Sequence, residues 1–146
     1  MAQKQYYLLM KKLFIVALLL TLLTPSCKET VEAKKEDLVI QIMTTGRWYV
    51  ERYEDNGSDV TADFFGYEFQ FYADGKVDGI KNTTTKSGTW TGNATTLSIA
   101  ANFPLSAGDT LKRLNYTWRI NDSGLDYVKS STNVPGGTNV LNLRKK

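Results

Sequence analysis

The residues that most often perform covalent or acid–base chemistry are scarce in this chain of 146 residues, which has no histidine and a single cysteine, Cys27. A cysteine attacks as the thiolate, which a neighbouring histidine or another cation must stabilise. Without histidine, the Ser-His-Asp arrangement, the commonest general base and the usual zinc ligands are all missing. The composition argues against nucleophilic catalysis, and one cysteine cannot form an internal disulfide.

Carboxylates could still act as acids and bases, but most aspartates fall in or beside predicted turns. Aspartate is favoured in turns because its side chain bonds the local backbone. The residues in question are Asp55, Asp59, Asp63, Asp74, Asp78, Asp109 and Asp122. The segment from Asp74 to Asp78 also lacks the ligand spacing and the distal glutamate of a calcium loop. We therefore predict a protein that is not an enzyme, with no cofactor and no metal site.

The position of Cys27 indicates a different use for its thiol. Lys11 and Lys12 precede an apolar run over residues 13–23, which is shorter than the roughly 20 residues that span a bilayer. A basic flank followed by a short apolar run is typical of a secretory signal peptide. The segment ending at Cys27 resembles a bacterial lipobox, in which the cysteine is lipidated and becomes the first residue. We predict a lipoprotein signal peptide over residues 1–26, starting at Met1 or Met10, with lipid attachment at Cys27.

The charge of the predicted mature chain differs from that of the whole sequence. Three of the 18 lysines and arginines, Lys4, Lys11 and Lys12, precede Cys27, whereas all 15 acidic residues follow it. The mature chain is therefore near neutral, and the basic pI is not a nucleic-acid signal. Residues 27–37 are charged and free of aromatics, as expected of a lipidated tether. We predict a membrane partner through the lipid and no nucleic-acid partner.

The remaining residues, 38–146, predict one mainly β domain behind a short helix. Leu38, Val39, Ile42 and Met43 share a helical face, and Gly46 suits the position after a helix, so we expect a helix from about Glu32 to Thr45. Period-two patterns separated by turn residues predict eight strands, at 47–54, 64–72, 75–83, 86–92, 95–101, 111–120, 125–131 and 138–144. The fold class is an antiparallel eight-stranded meander barrel, with a β-sandwich as the alternative.

Gly46, Trp48 and Arg144 carry a family resemblance. Gly46-x-Trp48 at the start of the first strand, after a helix, resembles the G-x-W signature of the lipocalins and the wider calycins. The resemblance implies that Trp48 plugs the barrel floor and that Arg144, near the end of the last strand, packs over its ring. The lipid signal and the motifs Ser87-Gly88-Thr89-Trp90 and Leu114-x-x-x-Trp118 are similar to lipocalin-like lipoproteins of the Bacteroidetes. Lys28 and the acids after it resemble the surface-export signal of that group.

Two hypotheses follow for function, and they differ in what fills the barrel. Eight strands leave an interior that side chains fill or that holds one small ligand. Candidate residues for lining a ligand cavity are Tyr67, Phe69, Phe71, Trp90, Tyr116 and Trp118. Under the first hypothesis the protein is an outer-membrane lipoprotein, on the cell surface or the periplasmic face, that binds a small apolar ligand or acts as a scaffold.

Under the alternative, the interior is filled and the protein is an interaction module for an envelope protein or a glycan. The long connections at 55–63 and 102–110 are then the candidate recognition loops, because loops on a rigid sheet often carry binding residues. Tyr49, Tyr53 and Tyr72 are expected to point outward and could mark the partner surface.

Overall fold

The structure is a computed structural model that describes residues 38–146. Residues 38–44 are helical (α1) and are followed by nine strands, two 3₁₀ helices and one further short helix. The strands are β1 (Trp48–Asp55), β2 (Ser58–Asp59), β3 (Tyr67–Phe71), β4 (Lys76–Lys81), β5 (Thr84–Asn93), β6 (Ser98–Asn102), β7 (Thr117–Ser123), β8 (Tyr127–Val134) and β9 (Gly137–Lys145). The 3₁₀ helices are Thr61–Phe64 and Leu105–Ala107, and α2 is Asp109–Lys112. None of the helices within residues 38–146 is long and apolar enough to cross a bilayer.

Eight of the strands close into a barrel. Each pairs antiparallel with its neighbours in the order β1-β3-β4-β5-β6-β7-β8-β9, and β9 pairs back onto β1. The two-residue β2 pairs only with the end of β1. The predicted eight-stranded antiparallel meander barrel is confirmed, and the alternative sandwich is not formed. The pairing of β9 with β1 satisfies the backbone hydrogen-bonding groups of these two strands, which would be exposed edges in an open sheet.

Alternation along the strands places one set of side chains in a continuous core. In β3, Phe69 and Phe71 are buried, while Glu68 and Gln70 alternate with them on the other face. The core is formed chiefly by Trp48, Tyr53, Phe69, Phe71, Val77, Trp90, Ile99, Phe103, Leu111, Trp118, Val128, Leu141 and Leu143. Burial of apolar area at about 25 cal/mol per Å² is the main force holding the barrel together.

A bulge in β1 changes which tyrosine enters the core. Trp48 and Val50 face inward, but the pairing with β9 shifts register between Val50 and Arg52, and Tyr53 becomes fully buried. The expectation that Tyr53 points outward is therefore wrong, whereas Tyr49 and Tyr72 are exposed as predicted. Strict alternation would have turned Arg52 inward. The extra residue in the bulge avoids burying that charge.

The predicted strand at 111–120 begins later than the sequence pattern suggests. Residues 109–112 form α2, and the strand starts only at Thr117. Leu111 and Leu114 are nevertheless buried, because they reach the core from the connection between β6 and β7. The expected inward alternation therefore holds for Trp118 but not for Tyr116, which is 40% exposed.

The two ends of the barrel are built differently. We call the end covered by α1 the floor; the β3–β4 and β7–β8 turns lie there. The opposite end, which we call the mouth, carries the β4–β5 turn and the long connection from β6 to β7. Helix α1 is tied to the floor by Val39 against Gly92 at the end of β5 and by the carbonyls of Met43 and Thr44, which accept from Trp48 and Gln70.

Candidate functional site

The floor of the barrel is sealed around Trp48. Gly46 adopts a φ of +79°, which a residue with a side chain rarely takes, and turns the chain from α1 into β1. The Trp48 indole is fully buried, and its Nε1 donates to the Met43 carbonyl at 2.9 Å. This hydrogen bond satisfies the one polar atom of the ring and attaches the helix to the barrel.

The cation over the Trp48 ring is Lys145, not Arg144, which corrects the expectation drawn from the lipocalin resemblance. Lys145 Nζ lies 5.0 Å from the ring centroid, and its alkyl chain packs beside Gly46. The reason is strand parity. Lys145 is directly opposite Trp48 in the β1–β9 pairing and shares its face, whereas Arg144 is opposite Tyr49 on the outer face.

Arg144 instead bridges strands on the outside of the barrel. Its Nε donates to Glu51 Oε1 at 3.0 Å and its Nη1 donates to Asp126 Oδ2 at 3.4 Å. Its guanidinium carbon lies 5.4 Å from the centroid of the Tyr127 ring. The hydrogen bond to Glu51 raises the pKa of Arg144 above its ordinary value. Its structural role is therefore on the barrel wall.

Within residues 38–146, the void at the centre of the barrel is too small for an organic ligand. Phe69, Phe71 and Trp118 line a central void of about 20 Å³, room for roughly one water molecule. Pockets that hold small organic ligands usually measure about 300–1,000 Å³. Trp90 is buried away from this void with its ring edge-on to Phe71, 5.2 Å between centroids. Four of the six predicted lining residues, Phe69, Phe71, Trp90 and Trp118, are therefore packed in the core. Tyr67 lies at the mouth, and Tyr116 is exposed.

A single connection fills the mouth. We call residues 103–116 the plug; it contains the 3₁₀ helix Leu105–Ala107 and α2. Phe103, Leu111 and Leu114 are its main buried side chains. A Cβ on Gly88 would lie 2.9 Å from the Phe103 ring, and one on Gly79 would lie 3.1 Å from Leu111, so the plug packs directly on the bare backbone of β4 and β5.

Hydrogen bonds fix the plug in place. Trp118 Nε1 donates to the Leu114 carbonyl at 3.0 Å, and Tyr53 Oη donates to the Arg113 carbonyl at 2.7 Å. Burial raises the pKa of the Tyr53 hydroxyl to about 12, and the charge of Asp55 adds to the rise. The neutral phenol that donates this bond therefore persists well into alkaline solution.

Tyr67 lies at the mouth, on the inner face of β3 above Phe69. The two rings are nearly parallel, with centroids 6.2 Å apart. Tyr67 also lines an open pocket of about 250 Å³ between the barrel wall and the plug, which we call the rim pocket. The rim pocket is lined by Tyr67, Gly79, Lys81, Asn82, Thr84, Lys86 and Ala107.

The rim pocket carries positive charge and hydrogen-bonding groups. Lys81 Nζ lies 4.7 Å from the centroid of the Tyr67 ring. The nine ion pairs found within residues 38–146 include neither Lys81 nor Lys86. The lining residues include no carboxylate. Chemically, the pocket can bind a group that carries negative charge.

Lys81 and Lys86 are not among the site residues predicted from the sequence, although the sequence carries a signal for them. Alternation from Val77 and from Trp90, both inward, places Lys81, Thr84 and Lys86 on the inner face of the β4–β5 hairpin. Register confirms this placement, because Lys81 is opposite Tyr67 on one side and Thr84 on the other. This parity places the two lysines side by side at the rim of the inner face.

Most aspartates of the described residues have structural partners, as in the ion pairs of Asp63 with Arg113 and of Asp109 with Lys112. Asp74 Oδ1 accepts the Lys76 backbone N–H in the β3–β4 turn at 3.0 Å. Asp78 is buried on the outer wall, where burial favours a higher pKa, but hydrogen bonds from Ser87, Lys76 and Tyr72 outweigh it and lower the pKa. Within residues 38–146, no three histidine, cysteine, aspartate or glutamate side chains gather as a metal site. Cys27, the signal segment 1–26 and the tether 27–37 lie outside the described residues.

Comparison with known proteins supports the fold. No protein-family model matches the sequence, and no curated protein matches it. Among solved structures, the chain is similar to a DUF4847 family protein from Bacteroides vulgatus ATCC 8482. The two share 15% identity with a TM-score of 0.52, and the match covers 74% of this chain and 97% of that chain. At this identity the likeness concerns the fold alone.

Proposed function

We propose that the protein is a non-catalytic, lipid-anchored lipoprotein of the outer membrane whose lipocalin-like barrel recognises an envelope protein or a glycan with its mouth. The observation that carries this proposal is the filled interior. A void of about 20 Å³ leaves the outer surface as the place for recognition. The signal-like segment before Cys27 supports the lipid anchor, and the similarity in fold to a DUF4847 family protein supports the barrel.

The mouth is the part of the barrel surface best suited to a partner. Leu105, in the plug, is 85% exposed, and Phe65, after the first 3₁₀ helix, is 68% exposed. Both predicted recognition loops, 55–63 and 102–110, are connections at the mouth. Exposed large apolar side chains next to polar and charged groups are typical of interaction surfaces.

Capture of a partner from envelope extracts tests which end of the barrel binds that partner. The full chain, immobilised in detergent micelles, is compared with the double variant Leu105→Ser/Phe65→Ser and with Leu125→Ser. Leu125 is a matched control because it is 74% exposed but lies in the β7–β8 turn at the floor. We expect the mouth variant to lose the partner and the floor variant to keep it. The reverse pattern would overturn the assignment to the mouth.

Probe binding tests the filled interior. We expect a fatty acid or an apolar dye to leave the tryptophan fluorescence of the full chain unchanged. Phe103→Ala, which removes a buried ring from the plug, is the positive control with benzene as the probe, because the space left by one ring suits a molecule of that size. Stoichiometric binding of the probe to the unaltered chain would show that the interior is a ligand site after all.

Membrane partition tests the anchor separately. Cys27→Ser should move the protein from the membrane fraction to the soluble fraction, whereas Thr30→Ser, three residues later, should not. If Cys27→Ser leaves the partition unchanged, the lipoprotein assignment is wrong.

A further inference from the structure

We propose that the rim pocket binds a small polar ligand that carries an oxyanion, a carboxylate or a sulfate, as on an acidic sugar. This inference rests on the proposed recognition role of the mouth and names the chemistry of one part of it. It concerns Lys81 and Lys86 above all, with Tyr67, Asn82 and Thr84 around them.

The first argument is the position of the two lysines in the barrel. Lys81 and Lys86 occupy inner-face positions on β4 and β5, one step beyond the last buried layer. The residue paired with Lys86 is Gly79, whose bare backbone contacts Leu111 of the plug. The core therefore ends at Gly79, and the hairpin wall continues past it to present the lysines above an apolar base.

The charge of Lys81 is held in place by an aromatic ring and not by a carboxylate of residues 38–146. Lys81 Nζ lies over the Tyr67 ring at 4.7 Å, and Phe69 supports that ring from below at 6.2 Å between centroids. Cation–π attraction orients an ammonium and leaves its N–H donors free for another partner. No carboxylate of residues 38–146 lies within ion-pair distance of Lys81 or Lys86. Among residues 38–146, no carboxylate would compete with an incoming oxyanion for these two lysines.

The third argument is the combination of groups. The Asn82 amide can donate and accept, as can the Thr84 hydroxyl, so both suit ring hydroxyls next to the charged group. Asn82 adopts a φ of +53° in the two-residue turn, which holds it at the edge of the pocket. Ala107 of the plug supplies an apolar wall. The volume of about 250 Å³ suits a small ligand, or one acidic unit at the end of a longer glycan.

A second pocket, at the floor of the barrel, lacks this combination of groups. It measures about 260 Å³ and lies at the floor between Ile40 and the β3–β4 turn. Its one charged lining residue is Asp74, whose carboxylate is engaged by the turn backbone. The two pockets are equal in size, but the rim pocket alone of this pair presents cations.

Calorimetric titration of the full chain in detergent micelles tests the proposal. Galacturonate is the acidic probe, galactose is the neutral probe of the same ring type, and sodium sulfate is the free inorganic oxyanion. We expect galacturonate to bind at least about tenfold more tightly than galactose, a difference of about 1.4 kcal/mol. Binding should weaken as salt is raised, because the lysines are solvent-accessible.

Lysine variants locate the site. Lys81→Gln and Lys86→Gln should each weaken galacturonate binding by roughly fivefold to tenfold, in the range of the net contribution of one typical hydrogen bond. Lys129→Gln is the matched control, because Lys129 lies on β8 in an ion pair with Asp122. Unchanged circular dichroism of each variant shows that the barrel is still folded.

The outcomes separate the sources of the oxyanion and separate this inference from the proposed function. Binding of galacturonate that depends on Lys81 and Lys86 supports an acidic saccharide, and lysine-dependent binding of sulfate alone supports a free oxyanion. No heat with any probe, or binding that both lysine variants retain, overturns the rim site. Capture of an envelope partner by the mouth can still succeed when the titration shows no binding. Failure of the titration therefore does not contradict the proposed recognition role of the mouth.

Discussion

Asn115 holds Phe103 by both polar atoms of its backbone. Asn115 Nδ2 donates to the Phe103 carbonyl at 2.8 Å, and the Phe103 N–H donates to Asn115 Oδ1 at 2.6 Å. These bonds join the two ends of the plug across twelve residues. They also place the Phe103 ring edge-on to Phe69, 6.5 Å between centroids. The mouth is therefore closed by a loop whose ends are tied together beside the core.

Removal of the two hydrogen bonds between Asn115 and Phe103 should loosen the plug. We expect Asn115→Ala to lower the free energy of unfolding by about 1–3 kcal/mol, since it removes two hydrogen bonds and leaves a partly buried carbonyl and N–H unpaired. Urea unfolding followed by fluorescence measures the change. Asn102→Ala, at an exposed site beside the plug, is the control and should change the free energy of unfolding little. Equal losses in the two variants would contradict the role given to Asn115.

Gly88 should not tolerate a methyl group. A Cβ there would lie 2.6 Å from the Asn102 carbonyl oxygen, a backbone atom that cannot move aside cheaply, so we expect Gly88→Ala to cost about 1–3 kcal/mol. Gly79→Ala should cost less, because the tightest contacts of its Cβ would be with the Leu111 methyl groups, at 3.1 Å, which lie at the end of a side chain that can shift. Thermal unfolding of both variants ranks them. A smaller effect at Gly88 than at Gly79 would show that the plug is not seated as described.

The two basic residues near the carboxyl terminus should behave differently. We expect Lys145→Ala to change the Trp48 environment and to cost about 0.5–1 kcal/mol, the value of a cation–π contact. Arg144→Ala should leave the Trp48 environment unaltered, because its contacts are with Glu51, Asp126 and Tyr127 on the outer wall. Near-ultraviolet circular dichroism separates the variants. A Trp48 signal that responds to Arg144→Ala alone would restore the expectation from the lipocalin resemblance.

Tyr53 should make the fold sensitive to strong alkali. Its pKa is raised from 10.0 to about 12 by burial, so the folded state keeps a proton that the unfolded chain loses first. The stability linked to Tyr53 is fully present below about pH 10 and is lost as the pH rises towards 12. We expect Tyr53→Phe to remove this part of the pH dependence, at a cost of about 1 kcal/mol at neutral pH for the lost hydrogen bond. Urea unfolding over the alkaline range, with Tyr49→Phe as the exposed control, measures both effects.

Sequence patterns predict the barrel well wherever each strand has one apolar face. Phe69 and Phe71 alternate with polar residues, and so do Leu141 and Leu143, so the pleat alone determines their burial. Register then decides details that composition cannot. Arg144 and Lys145 are both basic and adjacent, and only the pairing of Lys145 with Trp48 shows which of them faces the indole.

The alternation of apolar and polar residues cannot predict the bulge in β1 or the helix in the plug, for physical reasons. In β1 the residues Glu51 and Arg52 are both polar, so neither marks where the parity changes, and the burial of Tyr53 depends on pairing with the distant β9. In the plug, Leu111 and Leu114 are three residues apart, a helical spacing, next to a strand whose own alternation starts at Thr117. A strand pattern extended back over these two leucines predicts their burial correctly. It also predicts a strand, whereas the backbone there forms a short helix and a turn.

Each of the three tryptophans donates its indole N–H to a carbonyl outside the strands, and each carbonyl belongs to a different part of the molecule. Trp48 bonds Met43 of the helix, Trp90 bonds Tyr72 of the β3–β4 turn, and Trp118 bonds Leu114 of the plug. Variants that keep one tryptophan at a time would give the protein three built-in spectroscopic reporters. Their emission would register, one by one, the release of the floor, the opening of the hairpin and the withdrawal of the plug.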